Sequence, residues 1–248
     1  MKTLSYWNSE TFDIATYKWT LEGRKNKKVN SNGSDNSGCV YTFNEYGFRG
    51  DSPEKEGIKI LSVGCSHTEG IGVNDNETWS HYLSRMIPTG VDINLGISGR
   101  SNDYISRTII TFLDIYKPDL VLIMYTYPER REYYTKNGKV EPYHINCWGY
   151  FDEDIQGKVD YETLTLLSNE HENYINWYKN HLLISNFLTV KKIPYIWNGT
   201  FLNTTYKDEN RFDGNYPNIP DNHRHASPLE NQKYAKELYT HIKNQQIL

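Results

Sequence analysis

Ser66 stands just beyond a short, largely apolar run that alternates β-branched residues, Ile58-Lys59-Ile60-Leu61-Ser62-Val63-Gly64, and is followed by His67-Thr68-Glu69-Gly70. An apolar run that stops at Gly-x-Ser-x-x-x-Gly predicts a buried strand, a tight turn and a helix. Such a turn lifts a serine hydroxyl beyond the carboxyl end of a strand, where open α/β sheets hold their ligands. Serine is also a common turn former and helix cap, so its meaning depends on the rest of the chain. Two later stretches matter. Asn94-Leu95-Gly96-Ile97-Ser98-Gly99-Arg100-Ser101-Asn102 is a turn whose glycines let backbone approach a ligand closely. Asp221-Asn222-His223-Arg224-His225-Ala226-Ser227-Pro228 gathers an acid and two imidazoles near the C-terminal end. A serine attacking a carbonyl needs a base, and the base needs an acid to hold its tautomer. Backbone N–H groups at a glycine turn hold the resulting oxyanion, at about 3 kcal/mol per donor. Together the three stretches supply the parts of nucleophilic acyl transfer.

Those parts meet only if strands and helices alternate so as to bring three loops to one sheet edge. Strands are predicted at 58–64, 91–95, 119–125 and 193–197. Between them Trp79, Tyr82, Leu83 and Met86 share a helical face, as do Ile105, Ile109, Phe112 and Tyr116. Leu167, His171, Tyr174, Tyr178 and Leu182 mark a longer helix. Its His171 and His181 read as core-edge or surface residues rather than metal ligands, since no His-Glu-x-x-His occurs. Ser227-Pro228-Leu229-Glu230 opens the last helix with a serine cap, a proline in the first turn and a glutamate closing a capping box. This alternation implies a parallel sheet with helices on both faces. Residues 1–57 carry too little apolar content for a core of their own and read as an N-terminal extension packed on a main domain at 58–248. Within the extension, Val40-Tyr41-Thr42-Phe43 is a short strand candidate. The polar stretch between about 135 and 160 reads as a lid or substrate loop, and so does 198–220.

The whole-chain properties narrow the partners. A net charge of -4 and a pI near 6.1 argue against a dedicated nucleic-acid binder. Mean hydropathy is low at -0.74, offset by 21 Tyr and 6 Trp that bring large apolar area with a polar tip. The widely spaced Cys39, Cys65 and Cys147 fit neither a disulfide framework nor a zinc ligand set. No apolar leader opens the sequence and no stretch approaches membrane-spanning length, so a cytoplasmic protein without membrane insertion is expected.

Gly64-Cys65-Ser66-His67-Thr68-Glu69-Gly70 resembles the first conserved block, Gly-Asp-Ser-x-Thr-x-Gly, of the SGNH (GDSL-type) hydrolase family. Asn94-Leu95-Gly96-Ile97-Ser98-Gly99 resembles its second block, and His225-Ala226-Ser227-Pro228 its last. The likeness covers residues 58–128 and 221–242. It implies a flavodoxin-like three-layer α/β/α sandwich with a parallel sheet of about five strands, and a serine esterase acting as an acyl- or acetyl-hydrolase. Ser66 would be the nucleophile, His225 the general base and Asp221 its orienting acid, with the Ser66 and Gly99 N–H groups forming the oxyanion hole. No cofactor and no metal are implied. The substrate would be a small-molecule or carbohydrate ester, such as an O-acetylated polysaccharide.

The chain departs from the family pattern in three places. Cys65 replaces the usual Asp. Asp221 lies one residue further from His225 than the usual Asp-x-x-His, with Asn222 in the aligned slot; His223 is the alternative base. Where the family has Gly-x-Asn-Asp, this chain reads Tyr125-Thr126-Tyr127-Pro128-Glu129-Arg130-Arg131, so Asn102, Arg130 or Arg131 would have to supply the missing oxyanion donor. The overall shape also resembles divergent SGNH-like proteins of bacteriophages, with a Gly-Cys-Ser-x-Thr and a later Arg-x-Glu. That suggests an alternative: a catalytically inactive, carbohydrate-binding or virion-associated protein. A third reading takes Asp221, His223 and His225 as metal ligands on one extended segment.

Overall fold

Runs such as Leu120-Val121-Leu122-Ile123-Met124 have no polar face, so a strand built from them must be covered on both sides. The computed structural model describes residues 24–30, 38–134, 140–144, 169–199, 201–202, 204–214, 216 and 225–248. It opens with an antiparallel ribbon, β1 (Lys28–Asn30) and β2 (Val40–Thr42). Then come β3 (Ile58–Val63), the short helix α1 (Ser66–Glu69), α2 (Trp79–Met86), β4 (Gly90–Asn94), α3 (Asn102–Tyr116) and β5 (Leu120–Met124). A hairpin of β6 (Arg130–Tyr134) and β7 (Val140–His144) follows, then α4 (Glu170–Lys191), β8 (Tyr195–Asn198) and α5 (Pro228–Asn244).

The main sheet is wholly parallel in the order β4-β3-β5-β8. Alternate residues of β3, β5 and β8 enter opposite cores. Leu120, Leu122 and Met124 join Ile60, Trp79 and Leu83 with Tyr234, Leu238 and Ile242 of α5. Val121, Ile123 and Tyr125 join Leu61, Val63, Ile105 and Ile109 with Trp177, Ile184 and Leu188 of α4. Helices α2 and α5 therefore cover one face and α3 and α4 the other. This is the expected three-layer α/β/α sandwich.

Among the described residues the sheet has four strands, against the five or so expected. Beyond β8 the edge is taken by a single parallel bridge from Trp197 to Arg211, not by a further strand. The loop reading of 135–160 is corrected in part, because Val140–His144 pairs with Arg130–Tyr134. Both hairpin strands are polar and lack period-two apolar alternation, which hid them. Leu167 lies outside the described residues, and the long helix begins at Glu170, capped by Asn169.

Residues 38–51 pack against the start of the main domain. Gly50 bridges Ile93 on the outer edge of β4. Arg49 is 1% exposed and donates to the carbonyls of Glu69, Gly70 and Val73 and to the Asp75 carboxylate. Tyr41 lies under its guanidinium. One side chain thereby closes the whole turn that follows α1. No described helix is long and apolar enough to cross a membrane.

Candidate active site

β3 lies at the switch point of the sheet, with its successor β4 on one side and β5 on the other. Doubly wound sheets bind ligands outside the carboxyl ends of the strands at such a point. Here β3 ends at Val63, two residues turn, and α1 begins with Ser66. Cys65 is fully buried beneath the turn and Ser66 is 7% exposed. No described residue hydrogen-bonds the Ser66 hydroxyl.

The second turn is pressed onto α1. A Cβ on Gly96 would fall 2.4 Å from the Glu69 backbone nitrogen, so only glycine allows this approach. Ile97 N–H donates to Gly64 O at 3.3 Å. Asn94 accepts from Gly96 N–H at 2.9 Å and donates to Thr68 O at 2.6 Å, tying the turn to the helix. Glu69, 1% exposed, accepts from Ser98 N–H and pairs with Arg24. At Gly99 the backbone is left-handed, with φ 73°. Neither Ser66 N–H nor Gly99 N–H donates to another described residue.

The third loop, which follows β5, is held by Asn102 at the start of α3 and by Arg130 at the start of β6. The Asn102 side chain is fully buried. Its amide donates to Thr126 O (3.2 Å) and Tyr127 O (3.4 Å), and its oxygen accepts from Thr126 N–H (3.0 Å). Both of its amide hydrogens thus serve the third-loop backbone. Arg130 donates to Thr126 Oγ1 at 2.9 Å and lies 5.1 Å from the centre of the Tyr127 ring. The Nε and Nη2 of Arg131 are shielded from water and have no hydrogen-bond partner.

The Ser227 cap fixes where α5 starts, with Ser227 and Glu230 closing the expected box. Two residues upstream, His225 meets His67 with ring centroids 4.8 Å apart. The late histidine thus comes to the neighbour of Ser66, although no hydrogen bond joins it to the Ser66 hydroxyl. Asp221, Asn222 and His223 lie outside the described residues, as does Cys147.

His67 is the residue that motif reading missed. Its ring stacks on Phe201 (4.6 Å) and meets the edge of Tyr216 (5.3 Å). Burial, then His225, then Arg130 push its pKa down to about 3, so the imidazole is neutral. Its Nδ1 is buried without a partner. As the variable position of the motif it gave no sequence signal beyond standing next to Ser66.

His181 proves to be a core residue, with Tyr125 Oη 3.1 Å from Nδ1 and Asp208 Oδ2 3.0 Å from Nε2. His171 is exposed. Among the described residues no three His, Cys, Asp or Glu side chains could share a metal ion.

The strand order defines the class: a doubly wound α/β domain, with Ser66 just beyond the carboxyl end of β3 at the switch point. No family model and no curated protein matches the chain. Among solved structures it is similar to a protein described as lipolytic, of the G-D-S-L family, from Desulfitobacterium hafniense DCB-2. There identity is 12%, coverage is 77% of this chain and 100% of that one, and the TM-score is 0.34. A gut microbial diltiazem-metabolizing enzyme matches at 17% identity, with 79% of this chain and 35% of that one covered and a TM-score of 0.33. A member of the lipolytic protein G-D-S-L family from Veillonella parvula DSM 2008 matches at 14% identity, with 73% and 96% covered and a TM-score of 0.33. The class follows from the strand order of the parallel sheet and the helices on its two faces.

Proposed function

We propose that the protein is a serine-dependent carboxylic ester hydrolase of the SGNH type. Ser66 Oγ attacks the acyl carbonyl while His225 takes its proton and returns it to the departing alcohol. Water, activated by the same imidazole, then releases the acid. Asp221, with His223 as the alternative base, completes the relay, and the Ser66 and Gly99 N–H groups hold the oxyanion. Asn102 serves this arrangement by fixing the Thr126–Tyr127 backbone. The observation that carries the reading is the convergence of three distant segments: Ser66 above the switch point, the Gly96–Gly99 turn pressed onto the helix that Ser66 begins, and His225 in ring contact with His67. The aromatic rings gathered around His67 favour a short acyl group, such as the acetyl of an O-acetylated carbohydrate.

A fluorophosphonate probe with adduct mapping tests the nucleophile. Labelling at Ser66, lost in Ser66→Ala and in His225→Ala, is expected; labelling elsewhere, or unchanged labelling in His225→Ala, would overturn the assignment. One observation favours a second reading, a non-catalytic glycan-binding or virion-associated protein: no hydrogen bond joins Ser66 to His225. Under that reading the probe leaves Ser66 unlabelled while O-acetylated glycans bind without turnover.

A further inference from the structure

Charged side chains taken out of water need opposite charges or several hydrogen bonds. Most arginines in the described chain obey this. Arg24, Arg49, Arg85, Arg107 and Arg211 each form an ion pair, with Glu69, Asp75, Asp51, Glu132 and Asp213 respectively. Among the described residues Arg100, Arg130 and Arg131 form none; Arg100 stands on the loop after β4, and Arg130 and Arg131 open β6 at the end of the loop after β5.

Arg130 is the best placed of the three. It is half-buried, and its guanidinium is held by one hydrogen bond to Thr126 Oγ1 and by the Tyr127 ring. Thr126 and Tyr127 are in turn clamped by Asn102. Glu129 feels the Arg130 charge without reaching ion-pair distance. From Arg130 a continuous run of ring contacts leads to the site: Tyr127 to Phe201 (5.1 Å), Phe201 to His67 (4.6 Å) and His67 to His225 (4.8 Å). His67 also presents a buried, unpartnered Nδ1 along this run. A guanidinium held in place by a ring and one hydrogen bond, with no ion-pair partner among the described residues, is set to take a charged acceptor in its remaining N–H groups.

We propose that Arg130, with His67 beside it, forms an anion subsite, so that the ester bound at Ser66 carries a carboxylate or phosphate group near its scissile bond. The inference rests on the ester-hydrolase reading for the meaning of Ser66, but the subsite itself is testable without turnover. Uronate-containing or phosphorylated esters are accordingly better ligands than neutral ones of equal size. The fixed guanidinium serves a permanent charge in the substrate, which leaves the transient oxyanion to the two backbone N–H groups.

The test is a ligand-observed NMR titration at pH 7.5 with three probes that cannot be hydrolysed as esters. Succinamate carries a carboxylate, methylphosphonate a phosphate-like group, and succinamide is the neutral match to succinamate. Expected is at least fivefold tighter binding of one or both anions than of succinamide. Arg130→Gln should abolish that preference, and Arg130→Lys should keep part of it in a protein of unchanged thermal midpoint. The stronger anion tells whether carboxylate or phosphate is the natural group. Equal binding of charged and neutral probes, or an anion preference that survives Arg130→Gln, would overturn the subsite. An intact anion preference without Ser66 labelling by fluorophosphonate would sink only the catalytic reading.

Discussion

Asp92 is a carboxyl group in β4 with no exposure to speak of, one oxygen accepting from Ser80 at 3.2 Å and the other unpartnered. Burial raises its pKa from 3.8 to about 7. The unfolded chain therefore releases this proton near pH 4 while the folded protein holds it, and stability falls as pH rises from about 4 to about 7. Asp92→Asn should be close to neutral at pH 4 and clearly stabilising at pH 8, read as the urea midpoint at the two pH values. His67 works in the opposite sense. Its folded pKa lies below the ordinary imidazole value, so the unfolded chain binds the proton first. Stability is full above about pH 6.5 and is lost as pH falls towards 3. His67→Phe keeps an aromatic ring against Phe201 and should flatten the loss of stability between pH 7 and pH 4; an unchanged slope would remove His67 from this role. That the Ser66 turn and the His225 segment would meet was legible, because chemistry restricts which side chains could serve as nucleophile and base; the roles themselves are proposals. His67 and Asp92 were not, because their behaviour depends on what packs around them. Asp221 and His223 remain readings of the sequence.

At the scale of elements, the segment after α1 hangs on Arg49. Replacing it by methionine strips three carbonyls and the part-exposed Asp75 of their donor, and each buried acceptor left unpaired costs about 1 kcal/mol or more. Arg49→Met should lower the urea midpoint accordingly, and Arg49→Lys should rescue little, since one ammonium cannot span four acceptors. Ser227→Ala removes the cap that fixes the start of α5, at about 1 kcal/mol. Under the ester-hydrolase reading it should also slow Ser66 labelling, because His225 lies two residues before that cap. The four strands of the main sheet were legible as apolar runs and α5 through Ser227-Pro228-Leu229-Glu230. The β6–β7 hairpin was not, since Arg130-Arg131-Glu132-Tyr133-Tyr134 alternates no apolar residues. Nothing local in the sequence joins Arg49 to Val73; that contact is a product of tertiary folding.

At the scale of the molecule, the parallel sheet has two outer strands, and each is shielded by chain from outside the sheet. Gly50 and Asp51 lie along β4, with Asp51 N–H donating to Asp92 O at 2.7 Å. Residues 210–212 lie along β8, where Trp197 N–H donates to Asn210 O and Phe212 N–H to Trp197 O. Unshielded edges invite pairing between molecules. A chain beginning at Ile58 lacks the β4 cover together with Arg49 and the core residue Phe48, and it should elute as aggregates where the full chain elutes as a defined species. A soluble, cooperatively unfolding 58–248 protein would show that the extension is dispensable for the fold.

The placement of these two covers also bears on how the protein is made. A ribosome adds about 5–20 residues per second. The cover for β4 leaves it before β4 does, and the cover for β8 only some dozen residues after β8. Neither outer strand of the nascent chain then waits more than a few seconds for its neighbour, so little time is left for two unfinished chains on one messenger to pair by mistake.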